Sequence, residues 1–284
     1  MEQEYILENV KSFEPIHIFE CGQCFRWNKE EDNTYTGIFK NNVINVKKEN
    51  GKIIFTGICE ENIKNICTEY FDLKTDYEKI KQNLSKIDKF LANSIHYGAG
   101  IRILKQDLWE TLISFIISAN NNIPRIKKTI ERISEKYGRK IEFRGKTYYT
   151  FPTAEEMKNA TIQDFRDLGL GFRDVRIYET VQRTLKKDIN LEKLQNENDI
   201  ELLRENLLEI PGVGPKVADC IMLFSLKKYE AFPVDTWVKR VIAELYFENK
   251  EQSPKIIQNF AKKQYGDLAG VAQQYLFYWR RELA

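Results

Sequence analysis

Apolar residues alternate in short runs over roughly the first fifty-five positions and recur at helical spacing afterwards. Gln23–Trp27, Thr34–Lys40, Asn42–Lys48 and Lys52–Thr56 carry the pattern of half-buried strands. Glu31-Asp32-Asn33 and Glu49-Asn50-Gly51 separate them, and connections this short predict an antiparallel meander. From about Glu60 the period is helical. Asp107-Leu-Trp-Glu110 has the form of a capping box, and it opens an apolar helix through Leu112, Ile113, Ile116 and Ile117. A second helix runs from about Pro124 to Tyr137, with seven Lys/Arg against two Glu over residues 125–140. Such a run suits an ordinary solvated face as well as a polyanion. More helices extend from Thr153 onward, broken at Gly169-Leu-Gly171 and Pro211-Gly-Val-Gly214. The layout predicts an α+β fold. Residues 1–100 form an N-terminal antiparallel sheet domain with flanking helices, and residues 101–284 form an all-helical body in two subdomains.

Composition narrows the function classes. The 284 residues are 42% hydrophobic and 30% charged, a globular balance, and no apolar run is long enough to span a membrane. MEQEYILENV lacks the basic and apolar stretches of a secretory signal, so a cytoplasmic location is expected. The net charge of +2 neither requires nor excludes nucleic acid. Five cysteines (Cys21, Cys24, Cys59, Cys67, Cys220) argue against a disulfide framework. Cys21-Gly-Gln-Cys24 has no second pair, and His17 and His96 have no ligand spacing. No metal, cofactor or Ser-His-Asp triad is expected.

The chemistry lies further on. Ile200, Leu203, Leu207 and Ile210 form an apolar stripe before Pro211-Gly212-Val213-Gly214, and Val217, Ile221 and Phe224 form another after it. The intervening turn fits only a tight hairpin. Gly212 and Gly214 permit positive φ, and the following helix can aim free N–H groups at a phosphate without reading sequence. A plain helix–turn–helix connection has the same pattern. Lys216, however, stands in the first turn, where the macrodipole disfavours an ammonium. An amine nucleophile is one reason to place it there. Asp235, in Pro233-Val-Asp235, precedes a helix marked by Val238, Val241, Ile242 and Leu245 and is a natural N-cap. A fixed carboxylate there would also stabilise an oxocarbenium-like sugar.

The hairpin, Lys216 and the Pro-Val-Asp235 loop resemble the helix-hairpin-helix, Gly/Pro-Asp superfamily of DNA glycosylases. Within it the chain resembles the 8-oxoguanine DNA glycosylase family over nearly its whole length. The motifs are Gly22-Gln-Cys-Phe-Arg-Trp27 on an early strand, Ser118-Ala-Asn-Asn-Asn122-Ile-Pro-Arg125, Gly169-Leu-Gly-Phe-Arg173, Pro211–Cys220, Pro233-Val-Asp235 and Ala272-Gln273-Gln-Tyr-Leu-Phe277.

The resemblance implies a TATA-binding-protein-like sheet, a monomer and a double-stranded DNA partner. It implies base excision repair with both glycosylase and lyase activity, Lys216 as nucleophile and Asp235 as its partner. The carbonyl of Gly22 would test the N7 hydrogen of 8-oxoguanine, with Phe277 and Cys220 on either face of the base and Gln273 reading its Watson–Crick edge. Asn120, Arg125 and Arg173 would face the orphaned cytosine, with Phe172 as wedge. Gly212, Val213 and Gly214 would hold phosphate. Trp237 replaces the histidine of vertebrate-type members, and Cys21 and Cys24 replace two serines. A glycosylase for another purine lesion, or a non-catalytic hairpin protein, fits the residues alone.

Overall fold

The structure is a computed structural model describing residues 1–283. Five strands form one antiparallel sheet: β1 (Glu2–Leu7), β2 (Trp27–Lys29), β3 (Tyr35–Phe39), β4 (Asn42–Glu49) and β5 (Lys52–Ile58), in the order β1-β5-β4-β3-β2. β3 to β5 are the expected meander, while the first strand, expected over Gln23–Trp27, runs instead over Trp27–Lys29. β1 was not expected: it adds at the edge, pairing Tyr5 with Phe55 across a long loop. The short helix α1 (Pro15–Phe19) fills that loop. One sheet face buries Phe13, Phe19, Trp27, Tyr35, Phe55 and Phe71 in a core of its own, with Phe19 stacked on Trp27 at 4.0 Å.

Helices α2 (Ile63–Tyr70), α3 (Tyr77–Leu84) and α4 (Lys89–Tyr97) lead from the sheet into the helical body. Next come α5 (Leu108–Ser118) and α6 (Ile123–Tyr137), then a strand pair, β6 (Lys140–Phe143) and β7 (Lys146–Tyr149). This pair corrects the expectation of an all-helical body. Its turn, Arg144-Gly145, takes positive φ at both residues (49° and 72°), the geometry of a tight hairpin. Phe143 packs on Ile38 and Val43, so the hairpin covers the sheet's other face.

The chain continues through α7 (Ile162–Asp167), α8 (Asp174–Leu185), α9 (Leu191–Asn196), α10 (Ile200–Leu208), α11 (Pro215–Phe224), α12 (Thr236–Tyr246), α13 (Pro254–Tyr265) and α14 (Ala269–Glu282). One apolar core joins them, with α5 and α11 buried along most of their length. Asp107 caps α5 by accepting from the Glu110 N–H at 2.9 Å, but the reciprocal half of the expected capping box is absent. No helix among the described residues is long and apolar enough to cross a membrane.

Two buried polar clamps fix the parts that matter. Gln23 is fully buried, and its amide donates to the carbonyls of Ile18 (2.9 Å) and Arg102 (2.8 Å) while accepting from the Leu104 N–H (2.9 Å). Its carbonyl accepts from the Gln106 side chain at 2.7 Å. A buried polar group satisfied on every side holds one position, so the loop bearing Gly22 is tied to the helical body. The second clamp is Asp219, which accepts from Arg204 on α10 and from Gln258 on α13 (2.8 Å). It locks α11, which carries Lys216, between two neighbours. Burial pushes its carboxyl up to about 6, against the pull of Arg204.

Candidate active site

The hairpin joins α10 to α11 through Pro211-Gly212-Val213-Gly214. Gly212 has φ +84°, and a Cβ there would meet the Arg176 side chain at 2.9 Å and Ile116 at 3.1 Å. Glycine is therefore required for both conformation and space. Gly214 differs from the expectation: its φ is −100°, so no left-handed turn demands it. A Cβ at Gly214 would meet nothing within 4 Å, and no side chain caps α11. The N–H groups of Gly212 and Gly214 have no acceptor among the described residues. They are available to an anion, and the positive end of the helix dipole favours one there. Val213 is buried beneath them, its N–H held by the Ile210 carbonyl at 3.0 Å.

Lys216 follows in the first turn of α11. It is half-buried, forms no ion pair among the described residues, and its Nζ lies over the Phe115 ring at 5.2 Å from the centroid. Asp235 caps α12, its Oδ1 accepting from the Val238 N–H at 2.8 Å. Asp235 is half-buried at the rim of a cleft. That cleft, about 460 Å³, brings Lys216 and Asp235 together with Gly212, Gly214 and Asn120. Cys220 lies buried one turn along from Lys216. Burial pushes its thiol up to about 11, partly offset by Lys216, so it is a neutral apolar wall rather than a competing nucleophile.

Arg176 and Lys239 also line the cleft, and the sequence reading did not single them out. The available signal was their position, beside Arg173 and just after Asp235. Trp237 turns its indole N–H into the protein, where it is buried without an acceptor.

Gly22 does not stand on a strand. Of the Gly22–Trp27 motif only Trp27 enters β2, and Gly22 sits in the preceding bend with φ +83°. The bend frees its carbonyl from strand pairing. Phe277 on α14 closes against it: a Cβ on Gly22 would be 3.2 Å from Phe277 Cε1. Beside Phe277 the space is only about 10 Å³, walled by Gln273, Phe232, Val238 and Ile242 among others. Gly22 and Gln273 thus each adjoin Phe277, and the slot beside the ring is too small for a base. Tyr275 and Tyr278 of the same aromatic stripe are core.

The loop after α5 presents Asn120, exposed and at φ +51°. Arg173 is buried and braces this loop from below, donating to the carbonyls of Ala119 (Nε, 3.0 Å), Asn120 (2.9 Å) and Leu170 (3.2 Å). The resemblance implies for it the same contact with the orphaned cytosine as for Arg125. In this structure most of its donors are spent on backbone, whereas Arg125, in the first turn of α6, is exposed. Phe172 is 56% exposed, backed by the guanidinium groups of Arg173 (4.2 Å) and Arg176 (5.4 Å). An exposed ring held from behind by cations is a rigid apolar projection.

The comparisons with known proteins agree with this geometry. Residues 113–266 match the model of the HhH-GPD superfamily of base excision DNA repair proteins, and residues 5–112 match the N-terminal domain of 8-oxoguanine DNA glycosylase. The chain belongs to the 8-oxoguanine DNA glycosylase family. It is 48% identical to a Clostridium acetobutylicum 8-oxoguanine glycosylase/lyase solved with DNA containing cytosine opposite 8-oxoguanine, at a TM-score of 0.94. That match covers 100% of this chain and 98% of the other. A probable N-glycosylase/DNA lyase of Methanothermobacter thermautotrophicus is 35% identical over 73% of this chain and 71% of its own length. The Saccharomyces cerevisiae N-glycosylase/DNA lyase is 33% identical over 81% and 67%.

Proposed function

We infer that this protein excises 8-oxoguanine opposite cytosine from duplex DNA and then nicks the strand. The observation that carries this reading is the single cleft in which Lys216, Asp235 and the phosphate-ready hairpin meet. The hairpin N–H groups hold the backbone, Phe172 enters the stack, and the damaged nucleotide turns outward. Lys216 Nζ attacks C1′ as the bond to N9 breaks; the base leaves with the bonding pair and gains a proton. Loss of a proton from nitrogen and opening of the sugar give an imine between Nζ and C1′. Removal of a 2′ hydrogen then expels the 3′ phosphate by β-elimination. Asp235 opposes the positive charge that develops on the sugar. The cleft is complete within one chain, so the enzyme acts as a monomer, on DNA in the cytoplasm. The unit of catalysis is the helical body from about residue 101, with residues 1–100 contributing Gly22. Borohydride trapping on 8-oxoguanine opposite cytosine tests the reading. A covalent adduct with that duplex and not with undamaged DNA is expected; trapping only on another purine lesion would overturn it.

Recognition rests on one hydrogen. Guanine N7 accepts, whereas 8-oxoguanine carries N7–H, so the Gly22 carbonyl is satisfied by the lesion and opposed by the normal base. One hydrogen bond contributes about 1 kcal/mol net, and a buried acceptor left unsatisfied costs about 1–3 kcal/mol, so rejection of guanine dominates. Gly22→Ala strains a left-handed residue and places a methyl 3.2 Å from Phe277 Cε1. Excision of 8-oxoguanine should slow by about 10-fold or more while cleavage at a ready-made abasic site persists. Equal losses on both substrates would remove Gly22 from base recognition.

On the partner strand, exposed Arg125 offers a rigid multi-donor fork to the O2 and N3 acceptors of cytosine. Adenine presents a donor amine there. Single-turnover excision should be faster opposite cytosine than opposite adenine, and Arg125→Ala should narrow that gap. A gap unchanged in Arg125→Ala would leave Arg125 holding phosphate only. Arg173 brings few free donors to this contact, since the carbonyls of Ala119, Asn120 and Leu170 hold most of them.

A further inference from the structure

Gln273 and Gln274 are both buried, at 4% and 3% exposure. Consecutive side chains on a helix diverge by about 100°. Their amides nevertheless meet, with Gln274 Nε2 donating to Gln273 Oε1 at 2.7 Å. This is the only hydrogen bond that either amide makes among the described residues, and it leaves Gln274 Oε1 buried with no donor. Gln273 is otherwise surrounded by the apolar walls of the Phe277 slot, namely Phe232, Val238, Ile242 and Leu276. No other polar group among the described residues hydrogen-bonds its amide.

The amide ends have nearly the same shape, so both side chains can turn over together and keep the bond with donor and acceptor exchanged. In the arrangement seen here, the oxygen of Gln273 is engaged and its NH₂ is free. In the reversed arrangement Gln273 donates to the orphaned oxygen of Gln274, and its own oxygen is free. A guanine-type base presents two donors on its Watson–Crick edge, N1–H and the 2-amino group, and so selects the oxygen-free arrangement. One side chain cannot turn without the other, because oxygen would then face oxygen or NH₂ would face NH₂.

We propose that Gln274 is the positioning residue that, by accepting from the Gln273 amide NH₂ in the reversed arrangement, holds the Gln273 oxygen toward the flipped base, and thereby gives selectivity for a guanine-type edge. The inference rests on the functional reading above, in which Gln273 faces that edge. Gln274 never touches the base.

The test measures single-turnover cleavage of three duplexes, carrying 8-oxoguanine, 8-oxohypoxanthine (which lacks the 2-amino group) or a preformed abasic site, each opposite cytosine. Wild-type protein should favour 8-oxoguanine over 8-oxohypoxanthine. Gln274→Met keeps the bulk and removes both polar ends, so that preference should fall by about 5-fold or more, the weight of one hydrogen bond, with abasic-site cleavage unchanged. Gln274→Glu retains an acceptor for Gln273 and should keep the preference, which decides the matter should Gln274→Met not fold. Gln273→Met should lose the preference too, and adding Gln274→Met to it should change nothing further. An unchanged preference in Gln274→Met, equal losses on all three duplexes, a lost preference in Gln274→Glu, or additive losses in the double variant would each overturn the proposal. Wild-type protein that released neither oxidised base would overturn the functional reading itself, an outcome told apart by the wild-type arm alone.

Discussion

Lys216→Gln should bind lesion-containing duplex as tightly as the wild type, release no base and form no borohydride adduct. Removing a nucleophile from a coupled catalytic group costs about 10⁴-fold or more. The fold should survive. Lys216 is half-buried, forms no ion pair among the described residues and packs over Phe115 and beside the Cys220 thiol, so glutamine keeps most of its packing. The hairpin N–H groups belong to the backbone and stay in place. The measurement is single-turnover base release, borohydride trapping and equilibrium DNA binding on the same preparation. Base release without strand cleavage would mean that water attacks C1′ and that Lys216 serves only the lyase step. Normal trapping would place the nucleophile elsewhere and sink the assignment.

What the sequence could carry was local. The hairpin, the lysine in a helix's first turn, the Asp235 cap and strands β3 to β5 are all short-range patterns, with turn and cap residues at fixed offsets. Features that depend on distant partners were hidden. β1 is a strand only because β5, some fifty residues on, offers a free edge. The β6–β7 hairpin has alternation and an Arg144-Gly145 turn, but at four residues a strand and flanked by helical signal it is too brief to predict. Gly22 shows the same limit. Its neighbours read as a strand, yet Gln23 is drawn aside by the backbone of Ile18, Arg102 and Leu104, and the chain bends at the glycine. The resemblance alone placed Arg173 with Arg125 at the orphaned cytosine. Only the three-dimensional course of the Ala119–Asn120 loop reveals the carbonyls that take its donors. The resemblance, not the periodicity, supplied candidate roles for Gln273 and Phe277.

Asp235 separates structure from chemistry in a single substitution. Its carboxylate already has a structural task, accepting from the Val238 N–H at the start of α12. Asparagine caps about as well as aspartate, so Asp235→Asn should change stability by less than about 1 kcal/mol, most of it lost charge–dipole attraction. A charge that opposes an oxocarbenium-like sugar is a different matter. Losing one preorganised electrostatic group costs about 100-fold or more in the chemical step. Base release by Asp235→Asn should therefore fall by at least that factor while denaturation curves nearly overlay the wild type. The half-buried setting supports the larger figure, since DNA seated over the cleft would exclude the water that otherwise screens the charge. A second substrate sharpens the result. On a preformed abasic site no glycosidic bond remains to break, so the oxocarbenium-like state is never reached and the loss in Asp235→Asn should be smaller than on 8-oxoguanine. Asp235→Ala, which removes cap and charge together, should show the same activity pattern with an added stability loss of about 1 kcal/mol. Near-normal single-turnover release by Asp235→Asn would reduce Asp235 to a helix cap and leave the developing charge to be met by the DNA phosphates alone.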